Sequence, residues 1–294
     1  MASVLLISVV PTQASSGIEC FSDRPVGVFD SGVGGLSVLR DIRRELPFEH
    51  LLYIADSGYG PYGDRSATFV KQRARALTNF LIEQGAKAIV VACNTATAVA
   101  VDDLRASFTL PIVAIEPAVK PAAASTRSGI VGVLATTNTL TSTKFATLVD
   151  QYAAGATVLT QACPGLVERV ESGELDGDRT RALVQQYVDP LLEEGVDTLV
   201  LGCTHFPFLT PLIQQVAGAN VAVIDPAVAV ARELRRRLQS AAMLSDSNAH
   251  GYERFWTTGP VEEITPVMSR LWGRGLQVRY HGGTADTENT ETHK

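Results

Sequence analysis

Residues 81–95, Leu-Ile-Glu-Gln-Gly-Ala-Lys-Ala-Ile-Val-Val-Ala-Cys-Asn-Thr, recur in altered form at 191–205 as Leu-Leu-Glu-Glu-Gly-Val-Asp-Thr-Leu-Val-Leu-Gly-Cys-Thr-His. The two segments align without a gap at an offset of 110 (203 minus 93). Two shorter blocks repeat in the same order: Ile-Glu-Pro-Ala-Val at 115–119 matches Ile-Asp-Pro-Ala-Val at 224–228, and Gly-Val-Phe-Asp-Ser at 27–31 faintly matches Gly-Val-Leu-Ala-Thr at 132–136. One such match is within reach of any two strand ends. Three collinear ones at a nearly constant offset point to two related units built on one plan.

The plan is α/β. Short apolar runs at 26–29, 51–55, 88–92, 112–115, 130–134, 198–201 and 221–224 read as buried parallel strands, and stretches such as 69–84 and 179–194 have helical spacing. The expectation is two similar doubly wound parallel-sheet domains related by a pseudo-twofold, with the active site in the cleft between them. Each repeat puts one cysteine, Cys93 or Cys203, directly after a strand, at the carboxyl end where open α/β sheets hold ligands. Past residue 228 the sequence reads as an Arg-rich helix, a polar break at 245–251, a strand at 252–257 and a helix from about 260 to 272. Residues 1–23 read as an extension outside the fold. Residues 277–294 read as a disordered tail, polar after Gly282.

Bulk properties narrow the function. A net charge of -6 argues against a surface built to neutralise nucleic-acid phosphates, and the run Arg235-Arg236-Arg237, flanked by Leu234 and Leu238, reads as the solvated face of an amphipathic helix. The apolar segment 4–10 is too short to span a bilayer and lacks the basic flank of a secretory signal. Four cysteines, at 20, 93, 163 and 203, show neither disulfide-framework nor zinc spacing, so a reduced, cytoplasmic protein is expected, with Cys20 and Cys163 structural.

Two thiols at equivalent places in facing halves suit one chemistry in particular. Moving the α-proton of an amino acid to the opposite face needs a base on one side and an acid on the other. A free thiol titrates at roughly pH 8.5, so one must be activated while the other stays protonated. Asp30, after the first strand, is a candidate neighbour for Cys93; His205 is one for Cys203. Either cysteine alone is as readily an inert buried residue; their equivalence in the repeat favours a working pair. The turn Asp30-Ser-Gly-Val-Gly-Gly35 lacks the third glycine of a dinucleotide loop, having Ser37 there, but its amides and Ser31 suit a carboxylate. The loop Tyr59-Gly-Pro-Tyr-Gly63 offers backbone amides and a phenol, or is simply a rigid turn. The other histidines, 50, 250, 281 and 293, suggest no metal, and no lysine stands at a strand end to form a Schiff base.

Taken together, Val28-Phe-Asp-Ser-Gly-Val-Gly-Gly-Leu36, Pro61-Tyr-Gly63, Ala92-Cys-Asn-Thr-Ala96, Gly202-Cys-Thr-His-Phe-Pro207 and Ile224-Asp-Pro226 resemble the glutamate racemases of the aspartate/glutamate racemase superfamily, over about residues 25–273. The resemblance implies interconversion of L- and D-glutamate without metal or organic cofactor, supplying D-glutamate for peptidoglycan, in a homodimer. It implies Cys93 and Cys203 as the acid/base pair, assisted by Asp30 and His205. It implies Asp30, Ser31, Tyr62, Gly63, Asn94, Thr95, Thr139, Thr204 and His205 as substrate-binding residues, Asn138-Thr139 belonging to a segment that helps hold a carboxylate. It further implies a chain that returns to its first domain, giving 24–118 plus 229–276 and, between them, 119–228. The segment from Cys163-Pro164 to Glu168 resembles a family segment whose glutamate lies near the histidine. Ala135-Thr136-Thr137 departs from the more usual Gly-Thr step. Three other readings stay open: a related racemase acting on aspartate, a one-cysteine decarboxylase or isomerase of the same fold, and a non-catalytic clamp that binds an amino acid.

Overall fold

The computed structural model describes residues 21–153 and 155–282. Its strands are β1 (Val26–Asp30), β2 (Leu51–Ala55), β3 (Ala88–Val91), β4 (Ile112–Ala114), β5 (Ile130–Ala135), β6 (Thr157–Ala162), β7 (Thr198–Gly202), β8 (Ala222–Ile224), β9 (Glu253–Thr257) and β10 (Val278–Tyr280). They form a six-stranded sheet ordered β10-β9-β2-β1-β3-β4 and a four-stranded sheet ordered β6-β5-β7-β8. Every pairing is parallel.

The duplication is visible in the strand order, since β2-β1-β3-β4 and β6-β5-β7-β8 follow the same path. It extends to register: Val26 pairs with Ala88 in the first sheet, and their repeat counterparts Val131 and Thr198 pair in the second. It reaches the packing as well. A side chain at Gly27 would press on Leu81 and Ile89, and one at Gly132 on Leu191 and Leu199, the same two positions of the repeat. Glycine at these points lets the covering helix lie close to the sheet.

Helices connect the strands as their spacing predicts. The helix Ala67–Glu83 starts two residues before the expected 69 because Ser66 caps it, its hydroxyl accepting the Phe69 amide at 3.2 Å. The helix Ala227–Ser240 packs Ala227, Val230, Ala231 and Leu234 against the helix Leu36–Glu45 of the first sheet's layer. Arg236 and Arg237 on its outer face pair with Glu233 in solvent, as a solvated face should.

Three expectations need correction. The strand β6 is absent from the sequence reading because Thr157, Thr160 and Gln161 interrupt its apolar character; as an edge strand it is only half-buried. The supposed tail contains β10, which pairs with the otherwise open edge of β9, and the His281 amide donates to the Thr257 carbonyl at 2.8 Å. Residues 283–294 lie outside the described residues, as do residues 1–20 with Cys20. Residues 21–23 belong to the fold: they form a helical turn, Ser22 is buried, and its carbonyl accepts from the buried Lys87 Nζ at 2.5 Å. Among the described residues no helix is long and apolar enough to cross a membrane.

Candidate active site

In each sheet the chain winds one way from the first strand to the second and the other way from the third to the fourth, so a crevice opens between first and third strands at their carboxyl ends. In the first sheet that point carries Asp30 at the end of β1 and Cys93 after β3. In the second it carries Thr136 after β5 and Cys203 after β7. The two crevices close on one pocket of about 270 Å³, lined by Ser31, Tyr62, Gly63, Cys93, Asn94 and Thr95 from the first half and Thr136, Cys203, Thr204 and His205 from the second. Of the residues expected from the sequence, only Asp30 and Thr139 stand behind the wall. Thr139 is joined to it through the Thr95 and Thr136 hydroxyls, at 3.4 and 3.0 Å.

The two thiols have different surroundings. Cys93 is the N-cap of the helix Asn94–Ser107: its sulfur accepts the Ala96 amide at 3.4 Å and its S–H donates to the Ser31 hydroxyl at 3.5 Å. Burial, and after it the charge of Asp30, pushes the Cys93 thiol up, so it rests protonated. The amide and the helix N-terminus act in the opposite sense and can steady a thiolate once one forms. Cys203 instead faces the Nδ1 of His205 at 3.6 Å, and the Nε2 of that ring lies 2.6 Å from the Glu171 carboxylate. Burial alone pushes the imidazole down, but hydrogen bonds to Cys203 and Glu171, with their charges, outweigh it and hold His205 well above the ordinary histidine range.

A raised histidine makes stability depend on pH with a definite sign. The folded state keeps a proton that the unfolded chain has released, so the stabilisation is complete below roughly pH 6.5 and is lost as pH rises through the folded value. As pH rises above about 6.5 the urea midpoint of the unaltered protein should therefore fall more steeply than that of His205→Asn. Parallel slopes would sink this account of the His205 charge.

Asp30 is fully buried, and its Oδ2 accepts the Gly35 amide at 2.7 Å and the Thr204 hydroxyl at 3.2 Å. Burial, more than any neighbour, raises its carboxyl; the His205 charge lowers it. Asp30 thus acts on Cys93 through its charge, while its hydrogen bonds fix the turn to Thr204. Asn94 is buried with both polar atoms of its amide unpaired among the described residues, although it lines the pocket. Such a group is costly unless a ligand completes it.

Other sequence readings change. The carboxylates held by the turn 30–35 are the protein's own: the Val33 amide donates to Glu171 at 2.7 Å and the Gly35 amide to Asp30. Its glycines serve close approach, since a side chain at Gly32 would run into Glu171 and one at Gly34 into the His205 ring. The Tyr62 phenol is engaged by the protein itself: it donates to Asp56, which also takes Arg73 Nε and Nη2 at 3.0 and 2.8 Å. The glutamate beside His205 is Glu171, not Glu168: on the helix Leu166–Glu171 the two stand one turn apart, and it is Glu171 whose carboxylate meets the ring. Glu171 lies three residues past the end of the segment 163–168 and carried no sequence signal of its own. Among the described residues no cluster of three or more His, Cys, Asp or Glu side chains is placed to hold a metal ion.

Comparison with known proteins fits this geometry. The family model for Asp/Glu/hydantoin racemases matches residues 26–234. A glutamate racemase of Pseudomonas paraeruginosa is 56% identical over 250 residues, 85% of this chain and 94% of its own. Its counterpart in Pseudomonas aeruginosa is 55% identical over 249 residues, 84% of this chain and 94% of its own. Among solved structures, the glutamate racemase isoform RacE1 of Bacillus anthracis superposes with a TM-score of 0.82 at 36% identity, covering 88% of this chain and 98% of its own.

Proposed function

The chain belongs to the Asp/Glu/hydantoin racemase family, and from that premise we propose that it interconverts L- and D-glutamate by two-base proton transfer between Cys93 and Cys203, without a cofactor. It is an isomerase. The observation that carries the mechanism is the pair of thiols in one small pocket, one from each half, in unlike electrostatic settings.

The proton count balances. A thiolate on one face takes the α-proton and becomes a thiol; the thiol on the other face protonates the α-carbon and becomes a thiolate. Asp30 and His205 assist, the first through its charge on Cys93 and the second through its contact with Cys203. Ser31, the backbone of Tyr62 and Gly63, Asn94, Thr95 and Thr204 hold the substrate, with Thr139 supporting Thr95 from behind. The unpaired Asn94 amide supports a ligand rich in acceptors and donors. The domains are 24–118 plus 229–276 and 119–228, with the fold extended at both ends by residues 21–23 and 278–282; the protein works as a cytoplasmic homodimer.

Incubation with L-glutamate in deuterium oxide, with chelator present, tests the reading. α-Deuterated D-glutamate is the expected product. Absence of exchange with glutamate would overturn it, and faster turnover of aspartate would reassign the substrate. Tight amino-acid binding with no exchange would return the clamp.

A further inference from the structure

The loop between β2 and the helix Ala67–Glu83 carries Tyr62 and Gly63 into the pocket, and it is gripped from two sides. From its own half Asp56 holds it, taking the Tyr62 phenol, Arg73 and the Thr258 hydroxyl, the last at 2.9 Å. From the other half comes Asn138, on the short helix Thr137–Leu140 that follows β5. Its amide nitrogen donates to the Tyr62 carbonyl at 3.0 Å and to the Arg65 carbonyl at 2.9 Å. Both partners are carbonyl oxygens, so the orientation of the amide is forced: only its NH₂ can serve them.

We propose that Asn138 is a positioning residue, an interdomain latch that fixes the Tyr62–Gly63 loop on the substrate when the two halves close and must let go before substrate or product can pass. This rests on the reading of the pocket as the glutamate site. Other ties join the halves nearby. The Thr95, Thr136 and Thr139 hydroxyls, and the exposed ion pair of Lys144 with Asp102 at 3.1 Å, do not touch that loop. Two longer bonds do, from the Asn138 backbone amide to the Gly63 carbonyl at 3.4 Å and from the Ser57 hydroxyl to Glu171 at 3.5 Å; the Asn138 side chain makes the shorter pair. The bonds of Asp56 lie within the first half and survive any separation of the halves; those of Asn138 do not. Removing its amide leaves no unpaired polar atom sealed from water, since the Tyr62 carbonyl still accepts the Arg65 amide at 3.2 Å and Arg65 is exposed.

The test compares Asn138→Ala and Asn138→Asp with the unaltered protein. The alanine variant loses both donors, and its KM for both enantiomers should rise about five- to tenfold with kcat reduced no more than about twofold, since two modest hydrogen bonds are removed from the closed state only. Asn138→Asp keeps the shape but sets acceptors against two carbonyls, so its KM should rise at least as far. Amide hydrogen exchange of residues 57–65 with saturating glutamate should speed up in both variants, at an unchanged melting temperature. An unaltered KM in Asn138→Ala, or an aspartate variant equal to the unaltered protein, would overturn the latch. Failure of the underlying functional reading is separately visible, as no racemisation by the unaltered protein.

Discussion

Cys93→Ser and Cys203→Ser should each lose racemisation by about ten-thousand-fold, the upper range of a general acid–base contribution, because inversion needs a competent group on both faces. Serine is the informative replacement: at Cys93 its hydroxyl can keep the cap on the Ala96 amide, so the helix Asn94–Ser107 stays in place while a base of usable pKa disappears. The surviving cysteine can still take a proton from its own face and return it there. Each variant should therefore exchange the α-hydrogen of one glutamate enantiomer with deuterium, without inversion, and the two variants should prefer opposite enantiomers. Exchange measured by NMR on each enantiomer decides the matter. If either variant racemises at more than about a hundredth of the normal rate, that thiol is not an acid/base partner, and a one-cysteine chemistry on this fold regains its place.

The different settings of the two thiols give that experiment a second content. Cys93 rests protonated, raised by burial and by Asp30, whereas Cys203 faces a histidine held high by Cys203 itself and by Glu171. The two thiols thus stand in unlike electrostatic settings before substrate arrives.

How far this was legible from sequence can be judged at particular residues. The repeat announced both cysteines, and with them the strand ends on which they stand, because buried parallel strands are written as unbroken apolar runs. It also held information that apolar character alone concealed: β6 lies where the repeat of β2 should fall, at an offset of 106 (157 minus 51), yet its threonines and glutamine hide it. The edge strand β10 had no counterpart in the repeat and little burial to mark it, with Tyr280 exposed. Side-chain partnerships were the least legible. Tyr62 looks like a free phenol in sequence, and only the fold brings Asp56 and Arg73 to it. The sequence reading stopped at Glu168, and only the packing of the helix Leu166–Glu171 against the turn 30–35 puts Glu171, one helical turn on, beside His205.

That packing makes Gly34 the position where a single methyl group should do most damage away from the reacting atoms. A side chain there would overlap the Nδ1, Cγ and Cε1 atoms of His205. The ring has nowhere to retreat: it is buried, with Glu171 at 2.6 Å on one nitrogen and Cys203 at 3.6 Å from the other. Either the ring moves off Cys203 or the turn carrying Asp30 and Ser31 moves away from the second half, and a shift of about 1 Å in such a site costs on the order of a hundredfold. Gly34→Ala is expected to lower kcat/KM at least that much, and to shrink the pH dependence of stability that His205 confers, since the histidine loses one or both of its partners. Gly275→Ala is the control, because a side chain there meets nothing and its backbone is not left-handed; it should leave both quantities unchanged. Normal kcat/KM in Gly34→Ala would mean that the contact between the turn and the histidine relaxes freely, and that the glycines of 32–35 are not what lets the two halves meet at His205.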